Sequence, residues 1–257
     1  MTTAKLASLM ARGTEFLGCE SAILCGAMSW VSERHLVSAI SNAGGFGVIA
    51  CGAMSPELLD AEIAATRALT DKPFGVNLPL LFIREPRVVD LVAKSGVKFV
   101  TTSAGSPAKL LPTLKAAGLV VYHVVPNLSS ALKAVEAGVD GLIVEGGEGG
   151  GFKNPDDVST LVLLQAVRER TDVPMIAAGG ICDGRGMAAA FALGAGIAVM
   201  AAIAALASSR QSEVASLLQD SSGQVWAGTR GHGVFAVQPG RLPATPLREG
   251  GDTAVAS

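Results

Sequence analysis

The chain has 257 residues, of which 49% are hydrophobic and 16% are charged, so it can bury the core of one α/β barrel or of one to two smaller domains. Its formal net charge of -2 and its aromatic content of only 4% argue against a nucleic-acid surface, which needs a basic excess and often aromatic stacking platforms. The lack of a basic excess also argues against binding to an anionic membrane surface.

The cysteines, the histidines and the apolar runs limit the cellular location of the protein and the chemistry that its side chains can perform. The four cysteines show no CxxC spacing and the three histidines no HExxH, so we expect reduced thiols and no protein-ligated metal. The N-terminus lacks a signal-peptide pattern, and the most apolar run, Ile197 to Leu206, is shorter than the roughly 18 residues that span a bilayer. These features predict a cytoplasmic protein that binds neither nucleic acid nor membrane, and they leave a homo-oligomer open.

Short runs rich in Val, Ile and Phe alternate with longer runs rich in Ala and Leu. The predicted strands, in chain order, are Ala22–Cys25, Phe46–Ala50, Phe74–Asn77, Phe99–Thr102, Val120–Val124, Gly141–Val144, Met175–Ala178 and Gly196–Met200. The predicted helices are Ser32–Ala43, Pro56–Thr70, Arg87–Ser95, Pro107–Ala117, Leu128–Ala137, Asp157–Arg170 and Gly184–Leu193. Ser55, Ser106 and Asn127 are predicted N-caps, and a glycine follows the end of several helices, as a left-handed cap requires.

Repeated units of one strand and one helix predict a parallel sheet. Eight strands at near-even spacing in a chain of this length favour a closed (β/α)₈ barrel, with an open doubly wound sheet as the alternative. We assign the barrel to residues 1–207 and a separate C-terminal region to residues 208–257. In that region the sequence predicts one amphipathic helix over Ser208–Gly223 and a disordered tail over Arg241–Ser257.

Two glycine-rich segments follow predicted strands directly. The first is Glu145–Phe152, which reads Glu-Gly-Gly-Glu-Gly-Gly-Gly-Phe, and the second is Ala177–Ile181, which reads Ala-Ala-Gly-Gly-Ile. Glycine lets backbone N–H groups approach a ligand closely, and successive N–H groups in such turns bind anions such as phosphate. The pair indicates a phosphate-bearing cofactor across the mouth of the barrel, and the alternative is two tight turns without a ligand.

Polar side chains near the predicted strand ends are the candidates for chemistry, because the active sites of such barrels lie at the carboxyl ends of the strands. The Asn77 amide can donate and accept at the edge of a heterocycle, although an Asn that ends a strand and caps a turn fits equally well. Glu145 could accept hydrogen bonds from a ligand, act as a base or form a salt bridge, whereas Glu148 is expected to be solvated. Met28 suits the floor of a planar ring or the core. His123 is interpreted as a buried, hydrogen-bonded histidine, and its facing depends on a strand register that the sequence does not fix.

Five segments in the same order resemble the nitronate monooxygenase family, an FMN-dependent TIM-barrel family whose relatives include flavin-dependent enoyl-acyl carrier protein reductases. They are Met28–Val31, Ser41–Gly45, Pro73–Leu78, Glu145–Gly151 and Ala178–Ile181. The resemblance covers roughly residues 19–200.

The resemblance implies a role for each matching residue. The isoalloxazine ring of FMN would contact Ala27, Met28 and Ser29, while Asn77 would lie near the ring or the ribityl chain and Gly150 would line the flavin site. Glu145, from its position at the end of the sixth strand, is expected to accept hydrogen bonds from the ribityl chain. The phosphate would be held by backbone N–H groups, for which the expected residues are Ala178, Gly179, Gly180, Ala201 and Ala202.

The sequence departs from the family pattern at three places. Phe152 stands where nitronate-oxidising members carry a histidine, the usual base, at the end of the glycine loop. Residues 200–203 read Met-Ala-Ala-Ile where the family commonly has Met-Gly-Thr-Arg. The C-terminal region is shortened and lacks much of the helical part that covers the site in the family.

The resemblance predicts an FMN-dependent oxidoreductase of the nitronate monooxygenase type, which oxidises alkyl nitronates with O₂. An NAD(P)H-dependent flavin or enoyl reductase is the alternative that Phe152 favours. A non-catalytic barrel that binds flavin or another phosphate ligand, and a flavin-free enzyme for a phosphorylated metabolite, remain further hypotheses.

Overall fold

The computed structural model describes residues 3–52, 54–83, 85–150 and 158–199, together with the segments 214–219, 225–229 and 233–237. Eight parallel strands pair in chain order, and β1 also pairs with β8, which closes a barrel. The strands are β1 (Ile23–Cys25), β2 (Phe46–Ala50), β3 (Phe74–Pro79), β4 (Phe99–Ser103), β5 (Val120–Val125), β6 (Gly141–Glu145), β7 (Met175–Ala178) and β8 (Ile197–Val199). The closed barrel confirms the predicted fold class over the open sheet, and each predicted strand is present within two residues of its expected ends among the described residues.

Helices surround the barrel and connect its strands. They are α1 (Thr3–Leu17), α2 (Arg34–Asn42), α3 (Pro56–Leu69), α4 (Arg87–Lys94), α5 (Leu111–Ala116), α6 (Leu128–Ala137), α7 (Thr160–Arg168) and α8 (Gly184–Ala192). Ser55 and Asn127 cap their helices as predicted, through hydrogen bonds from Leu58 N–H at 3.2 Å and from Ser130 N–H at 2.8 Å.

The segment predicted as one helix over Pro107–Ala117 is divided in two. A 3₁₀ turn covers Pro107–Lys109, and Ser106 before it makes no side-chain capping bond, so the predicted cap is wrong. Helix α5 then starts with Pro112 in its first turn. Proline lacks the N–H that would continue a helix from the preceding turn, which explains the break.

Helix α1 was not predicted, and it packs against the barrel beside β1 and β8. A Cβ atom added at Gly13 would overlap Gly196 O and lie 2.7 Å from the Ala22 side chain, so the helix backbone touches the barrel there. Phe16 stacks near Tyr122, with ring centroids 5.3 Å apart. The recurrence of Met10, Gly13 and Leu17 on one helical face was the available sequence signal.

The strand register decides which side chains point into the barrel. The Phe99 ring on β4 contacts the rings of Phe46 on β2 and Tyr122 on β5 inside the barrel, with a centroid distance of 5.2 Å in each pair. Side chains two residues further along each strand share that inward face. The inward position at the carboxyl end is held by Asn77 on β3 and by Glu145 on β6.

The C-terminal region differs from its prediction. Val214–Gln219 forms a strand, β9, which pairs antiparallel with β10 (Val225–Thr229), and β10 pairs with β11 (Gly233–Val237). The predicted helix over Ser208–Gly223 is therefore wrong for the described part of that range. The strand is stabilised by pairing with residues later in the chain, and the hydrophobic pattern of the segment itself does not reveal that pairing. The predicted tail over Arg241–Ser257 lies outside the described residues, and the domain division at residue 207 stays a prediction.

The described residues limit the options for membrane insertion and metal binding. None of the helices there is both long and apolar enough to cross a membrane. The same residues contain no group of three or more His, Cys, Asp or Glu side chains that could hold a metal ion.

Candidate functional site

The turn after β1 brings Ala27, Met28 and Ser29 to the mouth of the barrel. Its shape is fixed by Ser32, whose hydroxyl donates to Gly26 O at 3.0 Å and accepts from Met28 N–H at 3.0 Å. Ala27 and Met28 are half-buried and pack against the core. The turn therefore presents a firm, mostly apolar surface of the kind that a planar ring can lie on.

Asn77 lies inside the barrel and is held by its neighbour β4. Its Nδ2 donates to Thr101 Oγ1 at 2.9 Å and approaches Ser103 Oγ at 3.4 Å. Its Oδ1 receives no hydrogen bond from the part of the chain that the structure describes. Asn77 thus offers a ligand an acceptor rather than a donor.

Glu145 ends β6 beside Ala178 of β7 and is half-buried. The glycine loop that follows folds back over it: Gly149 N–H donates to Gly146 O at 2.9 Å, and a side chain at Gly149 would collide with the Glu145 carboxylate. Gly150 is exposed, and apart from its chain neighbours no atom of the described residues lies within 4 Å of an added Cβ. The loop therefore brings Glu145 close to its own backbone.

The turn after β7 requires glycine at both of its central positions. Gly179 and Gly180 have φ angles of +104° and +69°, which side-chain-bearing residues rarely adopt. A Cβ at Gly179 would lie 2.7 Å from Gly149 N, so part of the requirement comes from the glycine loop packed on the turn.

The same turn contains backbone N–H groups that are available to a ligand. The N–H groups of Gly180 and Ile181 make no hydrogen bond within the described residues. Two successive unpaired N–H groups at the carboxyl end of a barrel strand fit the phosphate of the predicted FMN.

Glu148 is exposed, in agreement with the solvated side chain that the sequence predicted, but its carboxylate also contacts α7. Its Oε2 accepts a hydrogen bond from Thr160 N–H at 2.9 Å and lies 3.1 Å from Thr160 Oγ1. It therefore connects the glycine loop to the start of α7.

His123 faces away from the barrel interior, because it alternates with the inward-facing Tyr122 on β5. It is buried, and its Nδ1 lies 2.8 Å from Thr102 Oγ1. Burial lowers the pKa of His123 to about 4, so the ring is neutral at pH 7. The interpretation as a buried, hydrogen-bonded histidine is confirmed.

Several predicted site residues lie outside the described residues, namely Phe152, Ala201 and Ala202. Two residues of the site were missed by the sequence reasoning. Thr101 could have been found, since it shares the inward face of β4 with Phe99 at a spacing of two. Thr160 carries no local signal, because its partners lie 12 to 18 residues away in sequence.

The family model described as "Nitronate monooxygenase" matches residues 11–86 and 83–218, which is most of the chain. The chain belongs to the nitronate monooxygenase family. Members of this family are oxidoreductases, and flavin is its general cofactor. The predicted resemblance is thereby confirmed.

The proteins that are similar to this chain have names that describe different activities. A (3aS,4S,5R,7aS)-5-hydroxy-7a-methyl-1-oxo-octahydro-1H-indene-4-carboxyl-CoA dehydrogenase of Rhodococcus jostii is 40% identical over 182 residues, which is 71% of this chain and 51% of that protein. A nitronate monooxygenase of Paraburkholderia phytofirmans is 30% identical, over 70% of this chain and 62% of that protein. The solved structure of FabK from Thermotoga maritima has a TM-score of 0.70 and 44% identity, covering 74% of this chain and 60% of FabK. The chain thus spans about half the length of the first of these relatives.

Proposed function

We propose that this barrel binds FMN across its mouth and serves an FMN-dependent oxidoreductase. The observation that carries the proposal is the Gly179–Gly180 turn, whose neighbouring N–H groups at Gly180 and Ile181 are unpaired within the described residues. Phosphate binds to such successive backbone donors without any basic side chain. Ala178 would complete this side of the phosphate site, and Ala201 and Ala202 remain predictions for its other side.

The remaining residues of the mouth would orient the flavin. Ala27, Met28 and Ser29 would contact the ring, which their firm, largely apolar turn supports. Asn77 would accept a hydrogen bond from the ring or the ribityl chain through Oδ1, because its Nδ2 is bound to Thr101. Glu145 would accept from the ribityl hydroxyls, and Gly150 would line the site. Bound FMN supplies the transfer of a hydride or of single electrons, and the protein supplies position and electrostatics.

For the substrate, we favour an α,β-unsaturated acyl thioester, which would accept electrons from flavin that NADH or NADPH has reduced. The support is similarity: identity reaches 40% with a carboxyl-CoA dehydrogenase and 44% with the enoyl reductase FabK, against 30% with a named nitronate monooxygenase. Phe152 points the same way, because phenylalanine cannot accept the proton that a neutral nitroalkane must lose.

Oxidation of alkyl nitronates with O₂ is the second candidate. It is favoured by the match of the family model over most of the chain. A nitronate is already an anion, so this reaction does not depend on a base at position 152.

Reaction of the flavin with each substrate class separates the candidates. Protein loaded with FMN would be mixed without O₂ with NADH, NADPH or propane-2-nitronate, and the flavin absorbance would be followed. The proposal expects reduction by NADH or NADPH and reoxidation by crotonyl-CoA. Reduction by the nitronate alone would support the second candidate, and a flavin that stays oxidised with all three would favour a non-catalytic binding barrel.

A further inference from the structure

Helix α7 receives its N-terminal anion from the preceding loop. Ser159 occupies the N-cap position with an extended backbone, but its side chain makes no capping hydrogen bond. The Glu148 carboxylate takes that place by accepting from Thr160 N–H at 2.9 Å. A carboxylate there is stabilised by the unpaired N–H groups of the first turn and by the helix dipole. The glycine loop after β6 is therefore attached to α7.

The hydroxyl of Thr160 joins four parts of the site. The residue is 1% exposed, and Oγ1 accepts from Gly146 N–H at 3.2 Å while lying 3.0 Å from Ala178 O and 3.1 Å from Glu148 Oε2. A hydroxyl carries one proton, so it donates to one of these two oxygens at a time. The end of β6, the end of β7, the glycine loop and α7 thus meet at one buried oxygen atom.

This oxygen lies against the turn that holds the unpaired N–H groups. A Cβ at Gly179 would lie 2.8 Å from Thr160 Oγ1, closer than real Cβ atoms approach a neighbour. Gly179 follows Ala178, whose carbonyl Thr160 contacts, and it precedes the N–H groups of Gly180 and Ile181. The direction of those N–H groups therefore depends on where Thr160 holds the turn.

We infer that Thr160 is a positioning residue for phosphate, which acts through Ala178 and Glu148 to aim the N–H groups of Gly180 and Ile181 at the ligand. The inference rests on the proposed function, since it takes FMN as that ligand. Thr160 itself touches neither the flavin nor the substrate.

The probes are FMN and riboflavin, which share the ring and the ribityl chain and differ in the phosphate. Their dissociation constants would be measured by flavin fluorescence for the native protein, Thr160→Val and Thr160→Ser. Valine keeps the shape and removes the hydroxyl, whereas serine keeps the hydroxyl. We expect Thr160→Val to weaken FMN binding about tenfold without changing riboflavin binding, and Thr160→Ser to bind both like the native protein.

Glu148→Ala gives a second test that does not depend on a buried substitution. The Glu148 side chain lies 3.3 Å from the Cβ position at Gly180, so removing its negative charge alone would strengthen binding of a phosphate. The inference predicts the opposite, a loss of FMN affinity with riboflavin affinity retained, because the contact to α7 is lost. This variant keeps the test valid if Thr160→Val does not fold.

The outcomes are separable. Equal losses for FMN and riboflavin, or full FMN affinity in Thr160→Val, would overturn the positioning role while leaving the proposed function intact. Failure of the native protein to bind FMN would overturn the proposed function and the inference with it.

Discussion

Asn77 Nδ2 donates to Thr101 Oγ1 at 2.9 Å, and the two residues are direct partners in the register of β3 and β4. Because both side chains point into the barrel, the bond forms between neighbours on one face of the sheet and not across a loop. It fixes the Asn77 amide with its nitrogen toward β4. Asn77 Oδ1 is therefore left to accept a hydrogen bond from a ligand.

Thr101 should therefore influence flavin binding without contacting the phosphate. Replacing it with valine removes the shortest hydrogen bond of the amide and leaves Nδ2 with its 3.4 Å contacts to Thr101 O and Ser103 Oγ, which should weaken binding of both FMN and riboflavin by about 1 kcal/mol. Thr101→Ser retains the hydroxyl and is the matched control. Fluorescence titration measures the effect, and native affinity in Thr101→Val would show that the amide needs no such restraint.

Gly180→Val should weaken FMN binding by at least an order of magnitude, or about 1.4 kcal/mol. The φ of +69° strains any side chain there, and an added Cβ would lie 3.3 Å from the Glu148 Cβ. Gly138→Val is the matched control, because Gly138 also has a positive φ of +93° but caps the end of α6, where no described atom beyond its chain neighbours lies within 4 Å of an added Cβ. If both variants fold and bind FMN alike, the phosphate does not lie on the turn after β7.

His123 should make the stability of the fold depend on pH. Its pKa falls from 6.5 to about 4 on folding, mainly because burial disfavours the charged ring. The unfolded chain thus binds the proton more readily, so stability should be full above pH 6.5 and decline as the pH falls toward 4.

The free energy of unfolding would be measured in urea for the native protein and for His123→Gln between pH 7 and pH 4.5. The difference between the two pH dependences gives the contribution of His123, which corresponds to the binding of roughly one proton. The native protein should lose more stability over that range than the variant, while FMN affinity at pH 7 stays the same in both. Parallel stability curves would assign the pH dependence to other groups.

Phe152→His should raise activity on a neutral nitroalkane far more than on its nitronate. Phenylalanine cannot accept a proton, and a positioned general base typically contributes 10²–10⁴-fold. The measurement is the ratio of kcat/KM for the two forms in both proteins. Should the native protein already use the neutral form as well as the anion, Glu145 and Glu148 are the bases to replace next, since His123 faces away from the mouth.

The barrel could be predicted because its signals are local. Each strand is a short apolar run, and features such as the Ser55 cap before α3 and the glycine after α6 mark the ends of helices within a few residues. The three C-terminal strands could not be predicted in this way, because β9 is a strand through its pairing with β10.

The site was predictable to the extent that it consists of turns. The two glycine segments and Asn77 follow strands directly, and the fold rule alone places them at the mouth. The facing of His123 depends on a register shared by β4 and β5, and the role of Thr160 depends on contacts between separate loops. Neither is contained in the residue pattern of any one segment.

The comparison of FMN with riboflavin on the native protein tests the central claim most directly. Equilibrium titration at pH 7, followed by flavin fluorescence and by the visible spectrum, gives both dissociation constants. With the phosphate on the N–H groups of Gly180 and Ile181, FMN should bind at least about tenfold more tightly than riboflavin, or by some 1.4 kcal/mol. Equal affinities, or no binding of FMN, would contradict the assignment of this turn as a phosphate site.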